Sequence, residues 1–253
     1  MKKNCKEKRK KKKKAQNFSR YIQGSNSLEA AVDACIEAAL QEWSLVGQKN
    51  LLMAASFGKA FLNGHDPQPF VEACQELRIV NALRAPEIGI PISHLEYVVL
   101  SSSVVIDRLI NRHHHYLAWK ICKYLKMRPN RVLIHWASAM VRKGRGDEQE
   151  LCAAIVGKLR EVPGISYAEI ASAAFQSGRP QLATRLLDYE PRAADQIPLL
   201  ICMKQEEIAL QKAIESGDTD LMYLVLLHSL RTLKDDFFHV LNGKPVAIKL
   251  MIK

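Results

Sequence analysis

Aromatic residues make up only 7% of the 253 residues, and no apolar run approaches the roughly 18 residues of a membrane span. The longest run, IPLLICM at 197–203, is the size of a core segment. The basic start has no apolar stretch behind it, which excludes a secretory signal. No C-x-x-C pair occurs. The six cysteines (Cys5, Cys35, Cys74, Cys122, Cys152, Cys202) are about 30 to 50 residues apart, and five have apolar or Ala-rich neighbours. They read as buried, reduced thiols of a cytosolic protein rather than a disulfide framework. Sustained period-2 alternation is missing, so strands are not expected. Missing too are G-x-S-x-G, G-x-x-x-x-G-K-[S/T], H-E-x-x-H and a G-x-G-x-x-G behind a strand. The expectation is therefore no enzyme and no cofactor.

Positive charge is abundant but badly distributed. Residues 1–14, MKKNCKEKRKKKKK, carry nine of the eleven net positive charges, leaving two for the other 239 residues. The high isoelectric point belongs to a tail, and the body is close to neutral. A tail of this composition, about residues 1–17, cannot bury apolar surface and is expected to be disordered. No aromatics interleave with the lysines to stack on bases, so a nucleic-acid role is disfavoured.

From Leu28 onward the pattern is helix after helix, expected to fill 18–253. Leu182, Ala183, Leu186 and Leu187 form one apolar stripe, with Gln181, Thr184, Arg185 and Asp188 on the other face. Leu221, Met222, Leu224, Val225, Leu226 and Leu227 are apolar nearly all round, which predicts a helix sandwiched between neighbours. Ser93-x-x-Glu96 and Ser166-x-x-Glu169 have the form of capping boxes, and Asp147-Glu148-x-Glu150 that of an acidic first turn. Gly178 and Gly217 fall where helices should stop; Pro180 and Pro198 fall where helices should open, and Asp218 can cap. The figure Gly178-x-x-x-Leu-Ala-x-x-Leu-Leu187 returns at Gly217–Leu226 and, with histidine for glycine, at His113–Cys122. Repeated hairpins that cannot bury their apolar faces alone predict an all-α fold, an α-solenoid of stacked antiparallel helical hairpins.

Candidate chemistry is thin. In His113-His114-His115 neighbouring side chains on one helix would diverge by about 100°, with no acid or thiol three or four residues away, so a solvated trio is the reading. His135, before Trp136, reads as an ordinary packed histidine, and no metal ligand set is assigned. Glu215, Asp218 and Asp220 surround a turn, where capping accounts for them.

Several long blocks resemble one family: Leu187-Asp-Tyr-Glu-Pro-Arg192, Gln196-Ile-Pro-Leu-Leu200 and Lys212-Ala-Ile-Glu-Ser-Gly-Asp-Thr-Asp220, with Leu77–Arg84, Ile88–Pro91 and Ala54–Lys59 upstream. In this order, over about residues 45–250, they are similar to the C-terminal region of the vacuolar protein sorting-associated protein 16 family. The resemblance implies a non-enzymatic scaffold subunit of the HOPS and CORVET tethering complexes, which promote SNARE-driven fusion at endosomes and lysosomes or vacuoles. It implies a cytoplasmic protein peripheral on late endosomal and lysosomal (vacuolar) membranes. It further implies an α-solenoid that docks the SM-family subunit, vacuolar protein sorting-associated protein 33, alongside other core subunits and, indirectly, SNAREs. The family's N-terminal propeller is not recognised, and the Lys tail stands in its place.

The docking segment is expected at 166–240. Its apolar stripes are needed for stacking, so outward polar positions are left for recognition: Arg179, Arg185, Tyr189, Arg192, Lys204 and Arg231. Arg192 is also placed to pair with a neighbouring carboxylate. The competing reading is a helical adaptor that binds nucleic acid or acidic partners through the Lys tail.

Overall fold

The computed structural model describes residues 27–62, 66–144, 147–233, 237–241 and 243–252. The Lys tail lies outside the described residues. Within them every regular element is a helix, as the missing alternation predicts. The chain divides into two units, one ending at Asp107 and the other starting at Arg108.

The first unit contains α1 (Leu28–Gln41), α2 (Leu45–Lys59) and α3 (Gln68–Arg84). Val32, Ile36, Ala55 and Ala73 form its small core. Small side chains let α1 and α2 approach closely: a Cβ on Gly58 would stand 2.7 Å from Val32 Cγ2. Gln48, only 3% exposed, exchanges amide hydrogen bonds with Asn81 and donates to the Glu42 carbonyl, so the buried polar group is satisfied. Arg84 donates to the Ile92 carbonyl and lies with its guanidinium 3.9 Å from the centre of the Trp43 ring. Next comes α4 (His94–Asn111), broken at Ser101, where φ is 64°. Its start is the expected capping box: Ser93 Oγ accepts from the Glu96 amide while Glu96 reaches back to the Ser93 amide at 2.7 Å.

The second unit continues with α5 (His115–Tyr124), α6 (Asn130–Lys143), α7 (Glu148–Leu159), α8 (Tyr167–Gln176) and α9 (Pro180–Leu187). It ends with α10 (Ala193–Cys202), α11 (Glu206–Ser216), α12 (Thr219–Leu233), α13 (Phe237–Leu241) and α14 (Pro245–Ile252). From α6 onward the helices pair as hairpins: α6 with α7, α8 with α9, α10 with α11, α12 with α13. Leading helices also pack on the next leading helix (α6 on α8, α8 on α10, α10 on α12), and α7 packs on α9 and α11 on α13. Each helix thus touches its neighbour and its next neighbour, the pattern of a solenoid. A single core runs through these layers, including fully buried Ile155, Ile170, Leu182, Leu186, Ile197, Leu210 and Leu226. Burying one such side chain contributes ~1.5–3 kcal/mol.

The turns repeat one device. After α8, the amides of Gly178 and Arg179 donate to the carbonyls of Phe175 and Ala174, with φ at Gly178 of 76°. This is a Schellman turn. His113, Lys126 and Lys204 make the same pair of bonds with φ of 62°, 56° and 58°. The motif repeat read from sequence is thus also a backbone repeat, and His113 adopts the left-handed conformation of Gly178 and Gly217.

Three expectations need correction. Pro198 does not open a helix: α10 starts five residues earlier and holds Pro198 inside. Proline removes the bond to the Ala194 carbonyl, but both residues are exposed, so that group sits at the surface and not in the core. The α12 helix is not sandwiched. Met222, Val225 and Leu226 are buried, but Leu224, Leu227 and Leu230 are 45–49% exposed. Cys202, expected in the core, is exposed at the end of α10.

Candidate partner-docking surface

The start of α8 is completed by a residue from the turn between α9 and α10. Its first amides, at Tyr167 and Ala168, have no partner inside the helix. The Glu190 carboxylate, 3% exposed, accepts from both through Oε2, at 2.7 and 3.1 Å. Ser166 Oγ accepts from Glu169 at 3.4 Å. A buried negative charge at a helix N-terminus also meets the positive end of the helix dipole. The other oxygen, Oε1, pairs with the Arg192 Nε at 3.1 Å. Gln196, buried, donates to the carbonyls of Leu187 and Glu190, both at 2.6 Å. The Leu187–Arg192 block is therefore a brace that locks the α9–α10 turn under α8. Sequence reading assigned Glu190 and Gln196 no role, because their partners are fixed by the fold rather than by local spacing.

The six predicted docking residues separate into two groups. Arg179 is half-buried and donates to the Gly144 carbonyl, so it is used within the protein. Arg192 is exposed but held by Glu190 and Asp195, at 3.1 and 3.0 Å, which raises its pKa. Arg185 is half-buried on α9. Lys204 is exposed in its left-handed turn, and Arg231 is exposed on α12. Tyr189 is 52% exposed with its ring 6.0 Å from that of Tyr167.

Tyr189 and Arg192 line one groove of about 660 Å³, together with Arg160, Pro163, Tyr167 and Pro191. Burial raises the Tyr167 hydroxyl pKa, and the Glu190 charge adds to it. A second feature was not anticipated. On α12, Leu224 and Leu227 share a face with His228 and Arg231 at helical spacing, flanked by Leu230 and half-exposed Tyr223. Apolar composition had suggested burial; the structure leaves the face open beside a cation.

The histidines also end in unexpected places. His113, in its Schellman turn, is off the helix, so its ring turns back to lie 5.7 Å from that of His115. His135 on α6 joins them, with Nδ1 2.8 Å from His115 Nε2. Sequence spacing could show neither the turn nor the contact across twenty residues.

Comparison with known proteins matches the "Vps16, C-terminal region" model to residues 165–253, and the "Vps16, N-terminal region" model to residues 2–72. A relative from Dictyostelium discoideum, "Vacuolar protein sorting-associated protein 16 homolog", is 52% identical over 229 residues, which is 90% of this chain. The chain belongs to the Vps16 family. "Protein VACUOLELESS1" of Arabidopsis thaliana is 41% identical over 90% of the chain, and "Vacuolar protein sorting-associated protein 16" of Saccharomyces cerevisiae 32% over 79%. The chain spans 26–27% of the length of these relatives. The Vps16 C-terminal match takes in the α8–α10 brace, its groove and the α12 face. The N-terminal match reaches upstream of the resemblance read from sequence, which began near residue 45. Among the described residues of this Vps16 chain, no helix is long and apolar enough to cross a membrane.

Proposed function

We propose that the chain acts in vacuolar protein sorting as a helical scaffold of a HOPS/CORVET-type tethering complex, and that its 166–240 segment docks the SM-family SNARE regulator. The family match carries the general role. The α12 face supports the docking: exposed leucines beside Arg231 lie inside the C-terminal matched region. Burying them against a partner gains apolar area, and the arginine adds directional hydrogen bonds. The tyrosine groove braced by Glu190 forms the second contact. Arg179 and Arg192 serve the scaffold, while Arg185, Tyr189, Lys204 and Arg231 remain for the partner. Peripheral membrane association then follows from the complex.

The test is capture of a purified SM-family protein by the chain and by Arg231→Glu, Leu227→Glu and Arg185→Glu, with helicity followed by circular dichroism. Loss of capture in the two α12 variants at unchanged helicity supports the docking face. Normal capture by both α12 variants overturns this choice of face. Failure of the unaltered chain to capture any SM-family protein overturns the docking reading.

A further inference from the structure

Three imidazoles in the second unit converge on one another. His113 is exposed at the Schellman turn after α4, His115 opens α5, and His135 lies half-buried on α6. Their ring centres are 5.1–5.7 Å apart, and one nitrogen from each lies within 4.8 Å of the others. We propose that His113, His115 and His135 form a three-histidine site for a divalent transition metal of the zinc class, with one coordination position open to solvent.

Geometry supports this first. Two nitrogens bound at about 2.05 Å to one tetrahedral ion stand about 3.3 Å apart. The observed separations, 2.8 Å between His115 and His135 and none above 4.8 Å, bracket that value. Small side-chain rotations bring all three to it. The fold supplies the convergence from two elements: the left-handed turn aims His113 back, and the α5–α6 packing brings His135 across.

The hydrogen bonding points the same way. In the His115–His135 contact one ring nitrogen donates and the other accepts with its lone pair, the same lone pair that a metal ion would take up. Lys143 acts electrostatically on His115, and Arg142 on His135. Neutral imidazole is the form that binds metal. On binding, the shared proton moves to the other nitrogen of its own ring, so neutral histidines release no net proton.

The donor set selects the ion. Three imidazoles with no carboxylate or thiolate suit zinc, nickel or copper and reject magnesium and calcium, which need oxygen ligands. The nearby cations Lys143 and Arg142 oppose a dication. They favour an anion, hydroxide or a partner's carboxylate, in the fourth position.

The experiment uses the full chain, free of any affinity tag, and zinc or cobalt(II) salts as the probe. Stoichiometry is read by equilibrium dialysis with elemental analysis, and geometry by the visible absorption of bound cobalt. One equivalent with the intense absorption of tetrahedral cobalt is expected, with a melting midpoint raised by about 5–10 °C at a hundredfold excess over Kd. His113→Gly and His135→Gln should each lower affinity at least tenfold, while His114→Gln binds as the unaltered chain does. The glycine variant keeps the test clean, because glycine suits the 62° φ at residue 113 without strain. Saturable binding abolished in a folded His113→Gly chain establishes the site. Absence of saturable binding, or binding that survives both His113→Gly and His135→Gln, overturns it.

Discussion

Glu190, itself only 3% exposed, places one carboxylate oxygen between two backbone amides and the other beside the exposed Arg192 guanidinium. Removing it leaves the Tyr167 and Ala168 amides without their acceptor, at ~1–3 kcal/mol for each buried unsatisfied group. Glu190→Ala is therefore expected to destabilise the second unit by about 3 kcal/mol, read as a lower urea midpoint. Arg192→Ala, which removes only the exposed partner, should lower the midpoint far less in the same measurement. An equal cost for the two would mean that the ion pair, not the helix cap, is the stabilising contact. The left-handed turns give a second contrast at this scale. Gly217 has φ of 70° and open space around the site of a Cβ, so Gly217→Val is penalised by backbone strain alone, at roughly 1–3 kcal/mol. Lys204 holds φ of 58° with a side chain, and Lys204→Gly relieves that strain. Thermal melts should move in opposite directions, down for the valine and up for the glycine. Gly178, Gly217 and Pro180 were legible in the sequence because their effect is local backbone chemistry. His113, Lys126 and Lys204 were not, since nothing in their side chains announces a positive φ.

At the scale of elements, the sequence showed where helices lie better than what each one covers. Apolar content announced α12, but the same residues would read identically with one face covered or two. Exposed Leu224 and Leu227 had to be seen. Pro198 misled for a related reason: the cost of proline inside a helix is smaller where the carbonyl it abandons belongs to an exposed residue, as Ala194 is, and packing of the rest of α10 outweighs it. The α1–α2 pair shows the opposite case, where a small residue is fixed by a neighbour. Leucine at position 58 would gain helix propensity of about 1 kcal/mol over glycine. It would also press against Val32, whose branched side chain has little freedom to move. Overpacking wins, and Gly58→Leu is expected to lose about 2 kcal/mol. Hydrogen exchange localises the effect: amides of α1 and α2 should exchange faster, those of α8–α11 at their former rate. Unchanged exchange in α1 and α2 would mean the helices separate freely there.

For the whole molecule, fold class and family were open to sequence because both are distributed over many residues: stripes, caps and long matching blocks. The braced groove and the histidine cluster were closed to it because each depends on contacts between distant segments. Glu190 meets Tyr167 across 23 residues, and His135 meets His115 across 20. The proposed docking and metal sites thus lie on surfaces that the hairpin stack creates. The most direct measurement is isothermal titration of the purified chain with a purified SM-family protein, repeated with the Leu224→Glu, Leu227→Glu double variant. The account predicts a saturable complex with one partner per chain, weakened at least tenfold by the double variant while its melting curve is unchanged. Equal affinity for both proteins would contradict the α12 docking face, and no heat of binding for either would contradict the docking function.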